Sequence, residues 1–321
     1  MSESALRAPT EQDAMTVVEV VMQRPAHQIE RFPTGLCHYV YDVVTDHGQR
    51  VVVRLARADT APLLLGGINW SRVLRPRGVP LPALLHADAT ATIVPFAFML
   101  LEHLPGVDLG RVYAQMSRQH KRGVAAAIVR IQRLVHALPP GSGYGYATAL
   151  QTALPHQSWT ALVAQTLIDA HQHIARVGVV DLRHVDRVER RLPRFKAYLD
   201  AVAPTAFLDD TTTKNVLIDR GRVAGIVDVD VVCYGDPLWT VALTQMALLQ
   251  QRLDLDYIAA WTELLNLTRE QQRILPFYTA VFCIGFLSEL GIAHNQASAA
   301  AVEAARVDHL TRILDTLLEA C

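Results

Sequence analysis

Asp210, Asn215 and Asp228 are the residues of this chain whose types and spacing could do chemistry together. A carboxylate can take a proton from a hydroxyl, while an amide oxygen and a second carboxylate are ligands that a hard cation prefers. All three lie in FLDDTTTKNVLIDRGRVAGIVDVDVVCYGDP, residues 207–237. Residues 215–218 are an apolar strand-like run, 219–222 a polar Gly-containing break, and 223–227 a returning run, which predicts a β-hairpin. A hairpin brings its ends together, so Asn215 and Asp228 are expected to be neighbours with Asp210 just upstream. Asp209 is a second acid of the loop, but the spacing to Asn215 favours Asp210 as the base. Asp230, two residues past Asp228 on an extended segment, could face the same cation. Asp219 and Asp46 read as turn residues, and Asp236 before Pro237 as a loop brace or helix cap.

Elements that could position these residues are legible on both sides. After a short leading helix at 16–22, two β-rich runs at 38–45 and 50–55 are joined by Asp46-His47-Gly48-Gln49, a second predicted hairpin. Pro33-Thr34-Gly35 makes a tight loop before it, which could fold over phosphates or be an ordinary turn. Arg54 stands in VVVRLA; it is either a buried cation in need of an anionic partner such as a phosphate, or a residue of a solvent face. Residues 63–74 have apolar positions at helical spacing, weakened by Gly66-Gly67 and ended by Pro76 and Gly78. A proline-entered strand follows within GVPLPALL, and 97–102 reads as a buried strand. Glu102-His103-Leu104-Pro105-Gly106 then breaks the pattern, so residues 1–102 are expected to form one lobe and 103–321 another.

Past this break the chain turns helical. Helices are predicted at 118–138, 159–177, 185–202, 239–249, 253–265, 277–290 and 299–318, with GSGYGYA as a loop. His171 and His173 lack the i, i+4 spacing of a helical metal pair and read as solvated. No internal repeat or low-complexity tract is present.

The whole composition excludes several classes. The 321 residues carry 30 Lys and Arg against 31 Asp and Glu, so no global field recruits nucleic acid or an anionic membrane, though a local basic groove is compatible with it. Cys37, Cys233, Cys283 and Cys321 form no CxxC pair, which fits neither a zinc site nor a dense disulfide framework; reduced thiols in the cytoplasm are expected. The polar start lacks a signal peptide's basic and apolar regions, and 277–287 is too short to span a bilayer.

With these motifs in register, the sequence resembles the aminoglycoside phosphotransferase family, small-molecule kinases that include choline kinase-like enzymes. The family motif His-x-Asp-x-x-x-x-Asn is matched by Leu208-Asp209-Asp210-Thr211-Thr212-Thr213-Lys214-Asn215, the metal-binding strand end by Gly225-Ile226-Val227-Asp228, and the following Gly-Asp-Pro by Gly235-Asp236-Pro237. Asp228 follows Asn215 by 13 positions, as in the family. The resemblance implies an α+β, bilobal protein-kinase-like fold with a small antiparallel sheet and a larger helical part. It implies Asp210 as catalytic base, and Asn215 and Asp228 as ligands of Mg2+. Arg54 would occupy the place of the phosphate-contacting lysine, with Gly35 in the loop over the phosphates of ATP or GTP. Leu101, Glu102, His103 and Leu104 would meet the nucleotide base. Phosphoryl transfer suits such a set, because it needs positioning, a metal and an acceptor of one proton.

The family pattern is broken at identifiable positions. Leu208 replaces the motif histidine that supports the catalytic loop. Arg54 replaces lysine, which changes reach and fork geometry. The helix glutamate that would pair with it falls near Gly66-Gly67, and Thr240 stands where an aspartate usually follows Gly-Asp-Pro. The expected function is therefore transfer of a γ-phosphate to a hydroxyl of a small polar acceptor: an aminoglycoside or other antibiotic, a choline-like amine or a sugar. The alternative is a nucleotide-binding or regulatory pseudokinase. Partners are a nucleotide and a small acceptor, with neither nucleic acid nor membrane. Glu263, Glu289 and Asp169 could attract a cationic acceptor or be surface charges.

Overall fold

The computed structural model describes residues 7–32, 37–291 and 304–321. Helix α1 (Glu11–Met22) opens on a capping box in which Thr10 and Asp13 satisfy each other's backbone N–H groups. It starts earlier than the apolar pattern at 16–22 indicates, because its first turn is polar. Strands β1 (Ala26–Arg31), β2 (Tyr39–Thr45) and β3 (Arg50–Ala56) follow, then helix α2 (Ala61–Leu74) and strands β4 (Leu84–Asp88) and β5 (Ala97–Glu102). These strands make one antiparallel sheet in the order β1-β2-β3-β5-β4.

Successive side chains of a strand alternate between faces, and β3 uses both. Val51, Val53 and Leu55 pack with Ala14, Val17 and Val18 of α1, whereas Val52 and Ala56 join Leu64 and Ile68 of α2. Arg54 shares the second face, which puts a cation against α2 at the centre of the sheet.

The remainder is mainly helical. It holds β6 (Val107–Asp108), α3 (Leu109–Val112), α4 (Arg118–His136), β7 (Gly145–Ala147), α5 (Trp159–Val177), α6 (Arg183–Glu189) and α7 (Leu192–Asp200). After them come β8 (Thr205–Phe207), β9 (Val216–Asp219), β10 (Arg222–Ile226), β11 (Val232–Gly235), α8 (Leu238–Gln250), α9 (Asp256–Leu265), α10 (Arg269–Ser288) and α11 (Ala304–Glu319). The expected helix 185–202 is two helices, since Pro193 cannot continue a helix's hydrogen bonds and sits in the first turn of α7. GSGYGYA contains β7, which pairs with β11, so it is not wholly a loop. The helix placed at 277–290 begins at Arg269 under a Thr268/Gln271 capping box and runs through Pro276. Residues 299–303 of the last expected helix lie outside the described residues.

Two small sheets carry the central stretch. β9 and β10 are the expected hairpin, with Ile226 opposite Val216, and β6 pairs with the other side of β9. β8 leads into the loop 208–215 and is held by β11, where Cys233 faces Phe207. The core beneath is apolar and aromatic, including Trp159, Phe207, Leu208, Trp239, Phe277 and Tyr278.

Candidate active site

The loop from Leu208 to Asn215 joins β8 to β9 and is shaped by its own hydrogen bonds. The Thr212 hydroxyl donates to Asp210 Oδ1 at 2.7 Å, fixing the carboxylate while the residue stays exposed. The Asn215 Nδ2 donates to the Asp210 carbonyl at 3.0 Å. That bond identifies the other amide atom as the oxygen aimed away from the loop. Val227 N donates to the Asn215 carbonyl at 2.9 Å, which fastens the approach to Asp228 beside Asn215. The structure thus brings together Asp210, Asn215 and the end of β10.

Leu208 is buried in the apolar core, and its main chain is held by Gln132 of α4. The Leu208 N–H donates to Gln132 Oε1 at 3.0 Å, and Gln132 Nε2 donates to the Leu208 carbonyl at 2.7 Å. Both partners are buried, so each bond removes an orphan polar group. Gln132 Nε2 also reaches the Thr211 hydroxyl at 3.3 Å, and Thr211 shares a 3.0 Å bond with Thr240 of α8. Gly110 N donates to the Thr213 carbonyl at 2.9 Å. The loop therefore keeps a brace without the motif histidine. Its signal in the sequence was a glutamine on the apolar face of a helix, between Ile131 and Val135. Asp236 acts as the expected brace and cap: Oδ1 accepts from Leu238 N at 3.0 Å, and Oδ2 from the Tyr198 and Tyr278 hydroxyls at 2.8 and 2.9 Å.

Arg54 is buried at 6% exposure, which decides between the two readings of it. One guanidinium nitrogen donates to Asp228 Oδ1 at 2.7 Å and to Asp230 Oδ2 at 2.8 Å. His38 Nε2 lies 2.8 Å from the same Asp230 oxygen. Asp230 thus turns its Oδ2 to Arg54 and His38. Asp228 keeps a side chain 55% exposed to the cleft. It has φ 63°, a left-handed conformation that Asp tolerates better than most residues. Although its side chain is open to solvent, the protein mass enclosing the cleft desolvates Asp228 and, with the Asp230 and Asp210 charges, pushes it above the usual carboxylate range, against the pull of Arg54. Asp230 feels the same burial, but Arg54 and His38 hold it below that range.

The segment expected to meet a nucleotide base is stitched to these elements. Leu101 is buried, Glu102 Oε2 accepts from Ala83 N at 3.0 Å, and His103 lies 4.0 Å from Asp42. Leu104 covers Gly225 so closely that a Cβ there would lie 2.4 Å from its side chain. Gly35 lies outside the described residues. On the other side of the loop, Tyr146 and Trp239 share a 3.1 Å hydrogen bond. Asp209 is pushed up to about 7 by burial and by the charge of Asp210. Glu263 pairs with Arg122, and Asp169 with Gln165, both on the surface. Burial raises the Cys37 thiol, with the charges of Asp228, Asp230 and Glu289 adding to it.

Among the described residues no group of three or more His, Cys, Asp or Glu side chains could hold a metal ion. Asn215 and Asp228 still suit Mg2+, which binds through few protein oxygens and completes its shell with water and phosphate. No helix of the described residues is long and apolar enough to cross a membrane. The four cysteines are free thiols.

Comparison with known proteins agrees with this arrangement. No curated protein sequence matches the chain. Among solved structures, a thermostable mutant of aminoglycoside phosphotransferase APH(4)-Ia in apo form aligns with TM-score 0.67 and 16% identity, covering 95% of this chain and 96% of that one. A putative fructosamine-3-kinase from Thermobifida fusca aligns with TM-score 0.61 and 16% identity, over 94% and 98% of the two chains. The streptomycin–ATP–APH(2'')-IIa ternary complex aligns with TM-score 0.64 and 12% identity, over 98% and 99%. These likenesses share the kinase-like fold of the chain. The model of the phosphotransferase enzyme family matches residues 28–274, most of the sequence. The chain belongs to that family, as a small-molecule kinase whose acceptor is an alcohol group.

Proposed function

We propose that the protein transfers the γ-phosphoryl group of ATP or GTP, with Mg2+, to a hydroxyl of a small polar acceptor. The observation that carries this reading is the Asn215–Asp210 bond, which sets a carboxylate and an amide oxygen at one loop beside Asp228. In the reaction, the acceptor oxygen forms a bond to the γ-phosphorus and gives its proton to the Asp210 carboxylate. The bond between that phosphorus and the β–γ bridging oxygen breaks, and the nucleoside diphosphate leaves. Mg2+, held by Asn215 and Asp228, would neutralise phosphate charge. Arg54 would contact phosphate, the backbone of residues 101–104 the base, and Gly35 the phosphate loop. Structures of related fold contain ADP with hygromycin B, or ATP with streptomycin, which supports a nucleotide donor and a polar acceptor.

A cytoplasmic setting follows from the free thiols and the nucleotide requirement. Residues 1–102 and 103–321 would act as nucleotide lobe and acceptor lobe. The rival is a nucleotide-binding protein without turnover, favoured by the pairing of Arg54 with Asp228.

A phosphoryl-transfer screen against aminoglycosides, other antibiotics, choline-like amines and sugars, with each nucleotide, tests the proposal. Turnover is expected with at least one acceptor. Asp210→Asn should then lower kcat by about 100-fold or more, as loss of a general base does, while nucleotide affinity holds. A fully active Asp210→Asn would remove Asp210 from its role.

A further inference from the structure

Arg54 draws its anion from the far side of the cleft. Kinases of this fold pair the phosphate-contacting cation with a carboxylate on the neighbouring helix, but α2 offers Gly66-Gly67 at that place. The two glycines face Asp230. A Cβ on Gly66 would lie 2.0 Å from the Asp230 carbonyl oxygen, and one on Gly67 would lie 2.6 Å from Asp230 Oδ1. A side chain on Gly66 would meet backbone and has no room, whereas one on Gly67 would fit only if the Asp230 carboxylate moved away. The same Gly67 Cβ would be 3.6 Å from Arg54 Nη1, so α2 passes directly beside the guanidinium.

We propose that Asp230 is the positioning residue of Arg54, replacing a helix carboxylate, and that Gly66-Gly67 is the gap in α2 that admits it. Asp228 also touches Arg54, but its exposed carboxylate is the one available to a metal. Asp230 is 13% exposed and held a second time by His38, so it can keep the guanidinium in place when Asp228 turns to other ligands. Its Oδ1 is buried without a hydrogen-bond partner among the described residues, in the space that a side chain on Gly67 would fill. A carboxylate is therefore present where the fold needs one, contributed by the metal strand's end instead of by the helix. The functional half of this inference rests on Arg54 as the phosphate contact; the pairing itself does not.

The test moves the charge back to the helix. Asp230→Ala should weaken binding of Mg2+–ATP or Mg2+–GTP by roughly tenfold or more, the usual loss for a charge-assisted contact, and raise nucleotide KM more than acceptor KM. Gly67→Asp alone should be at least as damaging, because it meets Asp230 Oδ1. The double variant Asp230→Ala with Gly67→Asp removes that collision and restores a carboxylate beside Arg54. It is expected to recover affinity to within about threefold of the parent protein. Gly66→Ala is the control: its obstacle is backbone, so Asp230→Ala should not rescue it.

A double variant no better than the worse single one overturns the proposal. Where a variant folds poorly, Arg54→Gln and Asp230→Asn, singly and together, give a cycle read in melting temperature alone. The two losses are expected to be strongly non-additive; additive losses overturn the pairing. If the parent binds no nucleotide, the kinase reading fails, while this stability cycle still decides whether Asp230 holds Arg54.

Discussion

The loop 208–215 and the Arg54 cluster are held by opposite means. Leu208, Thr211 and Thr213 are fixed by neutral hydrogen bonds to Gln132, Thr240 and Gly110, deep in the helical part. Arg54, Asp228 and Asp230 are fixed by charge, with His38 hydrogen-bonded to Asp230, between residues 174 to 192 positions apart in sequence. Both regions lack a residue that the family pattern supplies, and each has replaced it in its own currency. Where the family pattern has a histidine, the Gln132 amide holds the loop through the Leu208 main chain. A lost glutamate is made good by an aspartate that enters from another strand end. The difference teaches where tolerance lies: the loop depends on shape and satisfied polar groups, whereas the cluster depends on charge balance and can trade partners.

Arg54→Ala should break the charged region most severely. It leaves the buried Asp230 without its guanidinium, and removal of one partner from a buried pair costs on the order of 3 kcal/mol. A thermal or denaturant melt reads this loss, and Asp230→Asn in the same chain should recover part of it.

Gln132→Leu attacks the neutral region. It leaves the buried N–H and C=O of Leu208 unpaired, for a destabilisation of about 2–3 kcal/mol. The comparison is sharpened by salt: raising ionic strength should leave the Gln132→Leu loss unchanged in a denaturant melt, because no ion pair is involved. Thr240→Val, which removes the partner of Thr211, is expected to cost about 1 kcal/mol by the same measurement.

The smallest effect is one of pH. Asp209 has its folded value raised to about 7, chiefly by burial, from a reference near 3.8. The folded state therefore binds the extra proton, and the favourable contribution is complete below about 4 and lost as pH rises towards 7. Asp209→Asn should flatten this part of the stability profile and raise stability at pH 8 by about 1 kcal/mol. An unchanged profile would show that Asp209 does not sense its surroundings in this way.

Much of the site was legible in the sequence because it is local. Asp210, Asn215 and Asp228 lie within one hairpin and its approach, so spacing alone predicts their proximity. β2, β3 and β5 were legible from apolar runs, and α4, α5 and α8 from helical periodicity. β1 was missed, since AHQIER on an edge strand is mostly polar and exposed and shows no alternation. The break between α6 and α7 was missed because apolar residues continue at helical spacing through Pro193. The partner of Arg54 was beyond reach for a different reason: nothing in the spacing of His38, Arg54 and Asp230 says that a turn at Asp228 and a gap at Gly66-Gly67 will bring them together. The two adjacent glycines in a helix were the signal, visible as an anomaly before their occupant was known.

The most direct measurement is a melting scan with ATP or GTP, each with and without Mg2+. At about one hundred times its dissociation constant, a nucleotide that binds the folded protein should stabilise it by about 2.7 kcal/mol. The expected result is a rise for at least one nucleotide that is larger with Mg2+ and loses its metal dependence in Asp228→Ala. No rise with either nucleotide, with or without the metal, would contradict the assignment of this cleft to phosphoryl transfer.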